Sequence, residues 1–89
     1  MRLDKFLKVS RIIKRRTLAK EVADQGRITI NGTVAKASSD VKVGDELKIR
    51  FGQKIVTAKI NELKEIVRKE EADNMYTIIG EEKQSDSLF

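Results

Sequence analysis

At Gly26 the spacing of apolar residues changes from a period near 3.6 to a period of 2, and Asn31 and Gly32 follow directly on the first alternating run. Upstream, Leu3, Phe6 and Leu7 recur at i, i+3 and i+4, which puts them on one face of a short helix. Ile12 and Ile13 continue the apolar content, but the Ser10, Arg11 region and the cluster Lys14, Arg15, Arg16 predict a break before a second helix. Thr17 is the expected N-cap, because its hydroxyl can accept an unpaired backbone N–H of the first turn. Residues 18–25 run without Gly or Pro, with Leu18 and Val22 on one face and Ala19 and Ala23 beside them. Gly26 stands where a helix often needs a left-handed residue to stop.

Downstream, residues 27–30 alternate, and Asn-Gly supplies the two positive φ angles of a type I′ hairpin turn. Residues 33–36 are the return arm, and residues 36–40 read as a polar loop. Val41 and Val43 alternate into a turn at Gly44 and Asp45. Residues 46–51 form a clear strand, with Leu47, Ile49 and Phe51 on one face and Lys48 and Arg50 on the other. After a turn at Gly52 and Gln53, residues 54–63 read as a further strand with Val56, Ala58 and Ile60 in register. Residues 69–74 are expected to form a helical turn or two, packing Ala72 and Met75 onto the sheet. Residues 76–79 fit a short strand, and residues 80–89 a mobile tail.

Composition narrows the chemistry. Eighty-nine residues leave room for one core and no second catalytic domain. The absence of Cys excludes disulfides and thiolate metal sites. The absence of His removes the commonest general base and metal ligand. The acids are scattered through turns and the C-terminal segment without a pairing that suits catalysis. Neither a catalytic residue nor a metal or cofactor is therefore expected. No apolar run approaches the roughly 20 residues of a membrane span, and the N-terminus lacks a signal-peptide stretch. A soluble, cytoplasmic protein is the expectation.

Charge is the positive signal. Arg2, Lys5, Lys8, Arg11, Lys14, Arg15, Arg16 and Lys20 face a single acid, Asp4, within the first twenty residues. Unpaired cations this dense repel one another, and a helix built only for stability would intersperse acids. An anionic partner such as nucleic acid relieves the repulsion, with binding that weakens as salt rises. Asp4 reads first as a helix residue with an i,i+4 partner in Lys8; the alternative is that it orients a nearby Arg. A basic amphipathic helix on a membrane surface is disfavoured, since the sheet needs Leu3, Phe6, Leu7, Ile12 and Ile13 for its core. A helix-turn-helix is disfavoured because the hairpin directly after the second helix leaves no recognition helix.

These pieces form an ordered set: Arg16 with Ala19, then Gly26, then Ile28, Ile30, Asn31 and Gly32, and finally Gly44 and Asp45. Together with the opening Arg2, Leu3, Asp4, the set resembles the S4 RNA-binding domain. Arg15 stands where Ser is common in that family, and Ala37 where Pro is often found. Residues 1–11, 13–20 and 36–47 are also similar to the RqcP family of free-standing S4 proteins from Gram-positive bacteria, relatives of the small heat-shock S4 protein. The resemblance implies an α+β fold with two N-terminal helices packed on a small, mostly antiparallel twisted sheet. The S4 resemblance covers about residues 1–52; with the elements predicted beyond it, the expected division is an S4 domain over residues 1–63, a C-terminal extension packed on the sheet over 64–79 and a tail over 80–89. The resemblance further implies a monomer that binds rRNA of a stalled large ribosomal subunit and its peptidyl-tRNA, and supports alanine tailing by an RqcH-like factor. The alternative is a general rRNA-binding assembly or heat-shock factor without a tailing role. The expected RNA-binding set is Arg2, Lys5, Lys8, Arg11, Lys14, Arg15, Arg16, Lys20, Arg27 and Lys36. Arg16→Ala or Arg2→Ala is expected to weaken binding with little loss of fold.

Overall fold

Leu3, Phe6 and Leu7 are fully buried, and the helix they define, α1, spans Leu3–Val9 in the computed structural model, which describes residues 1–83. The first backbone N–H groups of a helix have no partner within it. Here the loop after the hairpin supplies them: Leu3 N donates to Ser39 O at 2.7 Å and Asp4 N to Ala37 O at 3.2 Å. The helix stops at Ser10 and the chain passes through Arg11 at φ 63°. A left-handed residue there is the usual helix exit, but the position is one that Gly fills more readily.

The second helix, α2, spans Arg16–Asp24, so it starts two residues earlier than Thr17 as N-cap would allow. The N-cap is Arg15, extended at φ −114° and ψ 126°, and no side chain caps the helix. Thr17 instead lies inside the first turn. The buried face is Ala19, Val22 and Ala23, while Leu18 is 48% exposed. Leu18 therefore does not share the core face with Val22: the small side chains at 19 and 23 let α2 approach closely and turn Leu18 outward. Gly26 ends this segment at φ 77°, as the sequence requires.

Five strands form one sheet in the order β2-β1-β3-β4-β5, every neighbouring pair antiparallel. They are β1 (Ile28–Ile30), β2 (Thr33–Val34), β3 (Glu46–Phe51), β4 (Lys54–Ile60) and β5 (Tyr76–Lys83). Asn31 and Gly32 turn the β1–β2 hairpin at φ 51° and 88°, the two positive angles of a type I′ turn. The Asn31 side chain does a second job. Its Nδ2 donates to Asp45 Oδ1 at 3.1 Å and its Oδ1 accepts Glu46 N at 3.0 Å. The hairpin tip is thus tied to the Gly44, Asp45 turn that launches β3.

One face of the sheet, carrying Ile28, Leu47, Ile49 and Ile60, packs into one buried cluster with α1 and α2, and Ala58 is buried on the same face. A 3-10 helix, Lys69–Met75, closes one end with Ala72 and Met75 fully buried, as expected. Val41 is buried but Val43 is 61% exposed. Their alternation does not make a strand, because Val41 N bonds Met1 O and the chain turns immediately afterwards. β4 ends at Ile60, short of residue 63, where its partner β5 begins at Tyr76. The expectation of a tail from Gly80 meets a strand that runs to Lys83, with Thr57 opposite Gly80 and Ile55 opposite Glu82. Backbone pairing to β4 holds this polar stretch although its side chains give no apolar alternation. The rest of the expected tail, residues 84–89, lies outside the described residues.

Candidate nucleic-acid interface

The centre of the basic corner is a buried carboxylate. Asp4 is 3% exposed. Its Oδ1 accepts the backbone N–H of Lys5 at 2.8 Å and Nε of Arg2 at 3.2 Å. Its Oδ2 accepts Nε of Arg16 at 3.4 Å, and Nη2 of Arg2 lies at 3.5 Å. Both arginine side chains remain about half exposed. The i,i+4 spacing points to Lys8 as the partner of Asp4; the structure shows instead the alternative, in which Asp4 orients arginines. Lys8 is exposed, whereas Arg2 immediately precedes α1 and Arg16 opens α2, so the corner brings both side chains to one carboxylate.

The arrangement solves an electrostatic problem. Arg16 is the first residue of α2, where the helix dipole is positive and a cation costs about 0.3–1 kcal/mol. α2 has no acid in its first turn. Asp4 supplies the missing negative charge from α1, where its own position in the first turn is favoured by that helix's dipole. An arginine held along one edge of its planar fork keeps its remaining N–H donors directed outward, and such a fork matches the paired oxygens of a phosphate.

A second group lies around the exit of α1. Lys8, Arg11 and Lys14 line an open depression of about 470 Å³ together with Val9, Glu65, Ile66 and Val67. Lys5, half-buried, pairs with Glu65. That ion pair holds the Glu65 carboxyl below the usual glutamate range. Glu65, Ile66 and Val67 come from the segment between β4 and the 3-10 helix, and nothing in their sequence pattern marked them as neighbours of the N-terminal cations.

The remaining expected residues separate. Arg15 is exposed at the start of α2. Lys36 is exposed in the loop whose Ala37 and Ser39 carbonyls cap α1. Lys20 lines a shallow depression on α2 with Thr17, Glu21, Asp24 and Gln25, in mixed rather than positive surroundings. Arg27 lies elsewhere, on the outer face of the sheet beside Lys48 and Arg50. Those two were legible as the polar face of β3, but their proximity to Arg27 depends on strand pairing. No helix among the described residues is long and apolar enough to cross a membrane.

Known proteins agree with this architecture. The S4 domain family matches residues 1–47. A protein of Bacillus subtilis, described as an RQC P-site tRNA stabilizing factor, is 78% identical over 93% of this chain and 96% of its own length. A protein of Halalkalibacterium halodurans with the same description is 69% identical over 98% of this chain and 99% of its own. Among solved structures, trimeric heat shock protein 15 of Vibrio cholerae aligns with a TM-score of 0.81 at 33% identity, covering 88% of this chain and 80% of that one. Both the S4 fold and the sequence similarity extend across the cationic corner, and the chain belongs to the S4-domain family of RQC P-site tRNA stabilizing factors.

Proposed function

We propose that the protein binds a large ribosomal subunit stalled with peptidyl-tRNA, contacts rRNA and the P-site tRNA, and supports alanine tailing of the trapped chain by an RqcH-like factor. The observation that carries the reading is the pair Arg2 and Arg16, pinned to buried Asp4 and half exposed. Pinning removes rotamer freedom before binding, so less is lost when a phosphate arrives. Lys8, Arg11 and Lys14 extend the positive surface along the exit of α1. Stem RNA is recognised mainly through shape, phosphates and 2′-hydroxyls, which suits a surface of rigid cations without base-stacking aromatics. The described names of the relatives point to the P-site tRNA as one of the two RNAs. In this reading the protein acts as a cytoplasmic monomer, requires no cofactor, and positions RNA while another factor performs the chemistry.

Sucrose-gradient sedimentation of cell extracts tests the proposal. The protein is expected with the large subunit at low salt and at the top of the gradient at high salt, with tRNA enriched in the material it pulls down. A protein that stays at the top at low salt refutes ribosome binding. Equal binding to subunits with and without tRNA refutes the stalled-subunit reading and leaves a general rRNA-binding factor.

A further inference from the structure

We propose that the outer face of the sheet carries a second RNA-phosphate site, formed by Arg27, Lys48 and Arg50 on the side turned away from α1 and α2. The inference rests on the reading of the protein as an RNA binder and adds a separate surface to it. Strand register builds the site. Ile28 pairs with Ile49, so Arg27 falls opposite Arg50, and Arg50 N donates to Arg27 O at 2.9 Å. Lys48 pairs with Thr29, which makes it the diagonal neighbour of Arg27. Directly opposed residues on a sheet lie about 4.5–5.5 Å apart at Cβ and diagonal ones about 7–8 Å, and like charges so placed destabilise the pairing. All three side chains are exposed, and the ion pairs among the described residues involve none of them.

Two acids border this face. Glu46 is two residues from Lys48 on β3 and faces Lys59 on β4, but it forms no ion pair with Lys48 within 4 Å, and Glu82 lies beyond Ile55, two strand spacings or about 10 Å from Arg50. Between them, Gly26, Arg27, Thr29, Lys48, Arg50 and Ile55 enclose a depression of about 110 Å³. Thr29 and Thr57 flank Lys48 in the same row and add hydroxyl groups to the face. A phosphodiester backbone supplies the negative charge that three converging cations lack. An acidic protein partner fits less well, because protein interfaces are centred on aromatic and apolar anchors, and among the described residues this face offers no aromatic side chain beside the cations, only half-buried Ile55 and exposed Val34. With cationic surfaces on both sides of its sheet, one copy can hold two RNA segments at once.

The test is a two-RNA capture assay with the full chain. One short RNA stem-loop is immobilised, the protein is added, and a second, fluorescent stem-loop is offered. Wild-type protein is expected to bind the first RNA and retain the second. The variant Arg27→Gln/Lys48→Gln/Arg50→Gln is expected to bind the first RNA and lose second-RNA capture about tenfold or more, with the salt slope of capture reduced by about 2–3 for three phosphate contacts. Its melting temperature should not fall, because repulsion across β1 and β3 is relieved. If the triple variant does not fold, Lys48→Gln alone is expected to reduce the slope by about 1. Wild-type protein that binds the first RNA but captures no second one overturns the inference, as does undiminished capture by the folded variant or capture lost only when an acidic peptide competes. Wild-type protein that binds no RNA at all overturns the underlying proposed function instead.

Discussion

Replacing Asp4 with asparagine preserves the shape of the side chain and removes its charge. Asp4 accepts from Lys5 N on one oxygen and from arginine Nε groups on both. Asparagine retains one acceptor oxygen and turns a donor NH2 toward the guanidinium groups it formerly neutralised. The arginine partners are half exposed, so each lost pair contributes about 0.2–1 kcal/mol rather than the value for a dry interior. Two such pairs, with the amide left facing cations, give a loss of about 1–2 kcal/mol. For a domain of this size that is a fall in melting temperature of about 5–15 °C, measurable by circular dichroism. Binding separates the two accounts of the corner. Net charge rises by one, so a surface acting only through its field binds RNA more tightly in Asp4→Asn. A surface that works by holding Arg2 and Arg16 in place binds less tightly. Fluorescence anisotropy with a short RNA stem-loop, at fixed salt and below the melting transition, is expected to show weaker binding. The double variant Asp4→Asn/Arg16→Gln should lose less than the sum of the single losses, with a coupling of about 0.5 kcal/mol or more. Tighter binding by folded Asp4→Asn, or strict additivity with Arg16→Gln, refutes the positioning role.

Arg16→Ala should cost about 0.5–1 kcal/mol in a thermal melt, more than the sequence reading allowed, because it removes one of two cations from a buried carboxylate. Gly32→Ala meets no atom within 4 Å, yet it should lose about 1–2 kcal/mol in denaturant unfolding, since the residue sits at φ 88°. Met75→Ala should lose about 2–5 kcal/mol, because Met75 is fully buried in the same cluster as Leu47 and Ile49; a loss under 1 kcal/mol would mean that the C-terminal segment is not part of the core. Glu65 has its carboxyl lowered by Lys5, so the pair contributes above the ordinary glutamate range and is lost as pH falls through the lowered value. An NMR titration of the Glu65 side chain should place its midpoint below that of a free glutamate, and the Lys5→Gln variant should return it.

Asn31 and Gly32, Gly26, and the alternation of Leu47, Ile49 and Phe51 determined the hairpin, the helix stop and the central strand without help from distant residues. Each is a local rule: positive φ at a turn, a period of 2 in a half-buried strand. The first twenty residues likewise showed that the surface is cationic. Tertiary structure decided how the cations are used. Thr17 lost its capping role because the helix begins at Arg16, which puts Thr17 inside the first turn and Arg15, extended, at the N-cap. Leu18 and Val43 faced solvent because helix approach and chain reversal, rather than hydrophobicity, set their orientation. Arg27 and Arg50 became neighbours through the register of β1 and β3, although 22 intervening residues separate them in the chain. Turn and period signals are short-range and legible in one dimension. The partner of a charge depends on which elements pack together, and that is settled only when the helices close on the sheet.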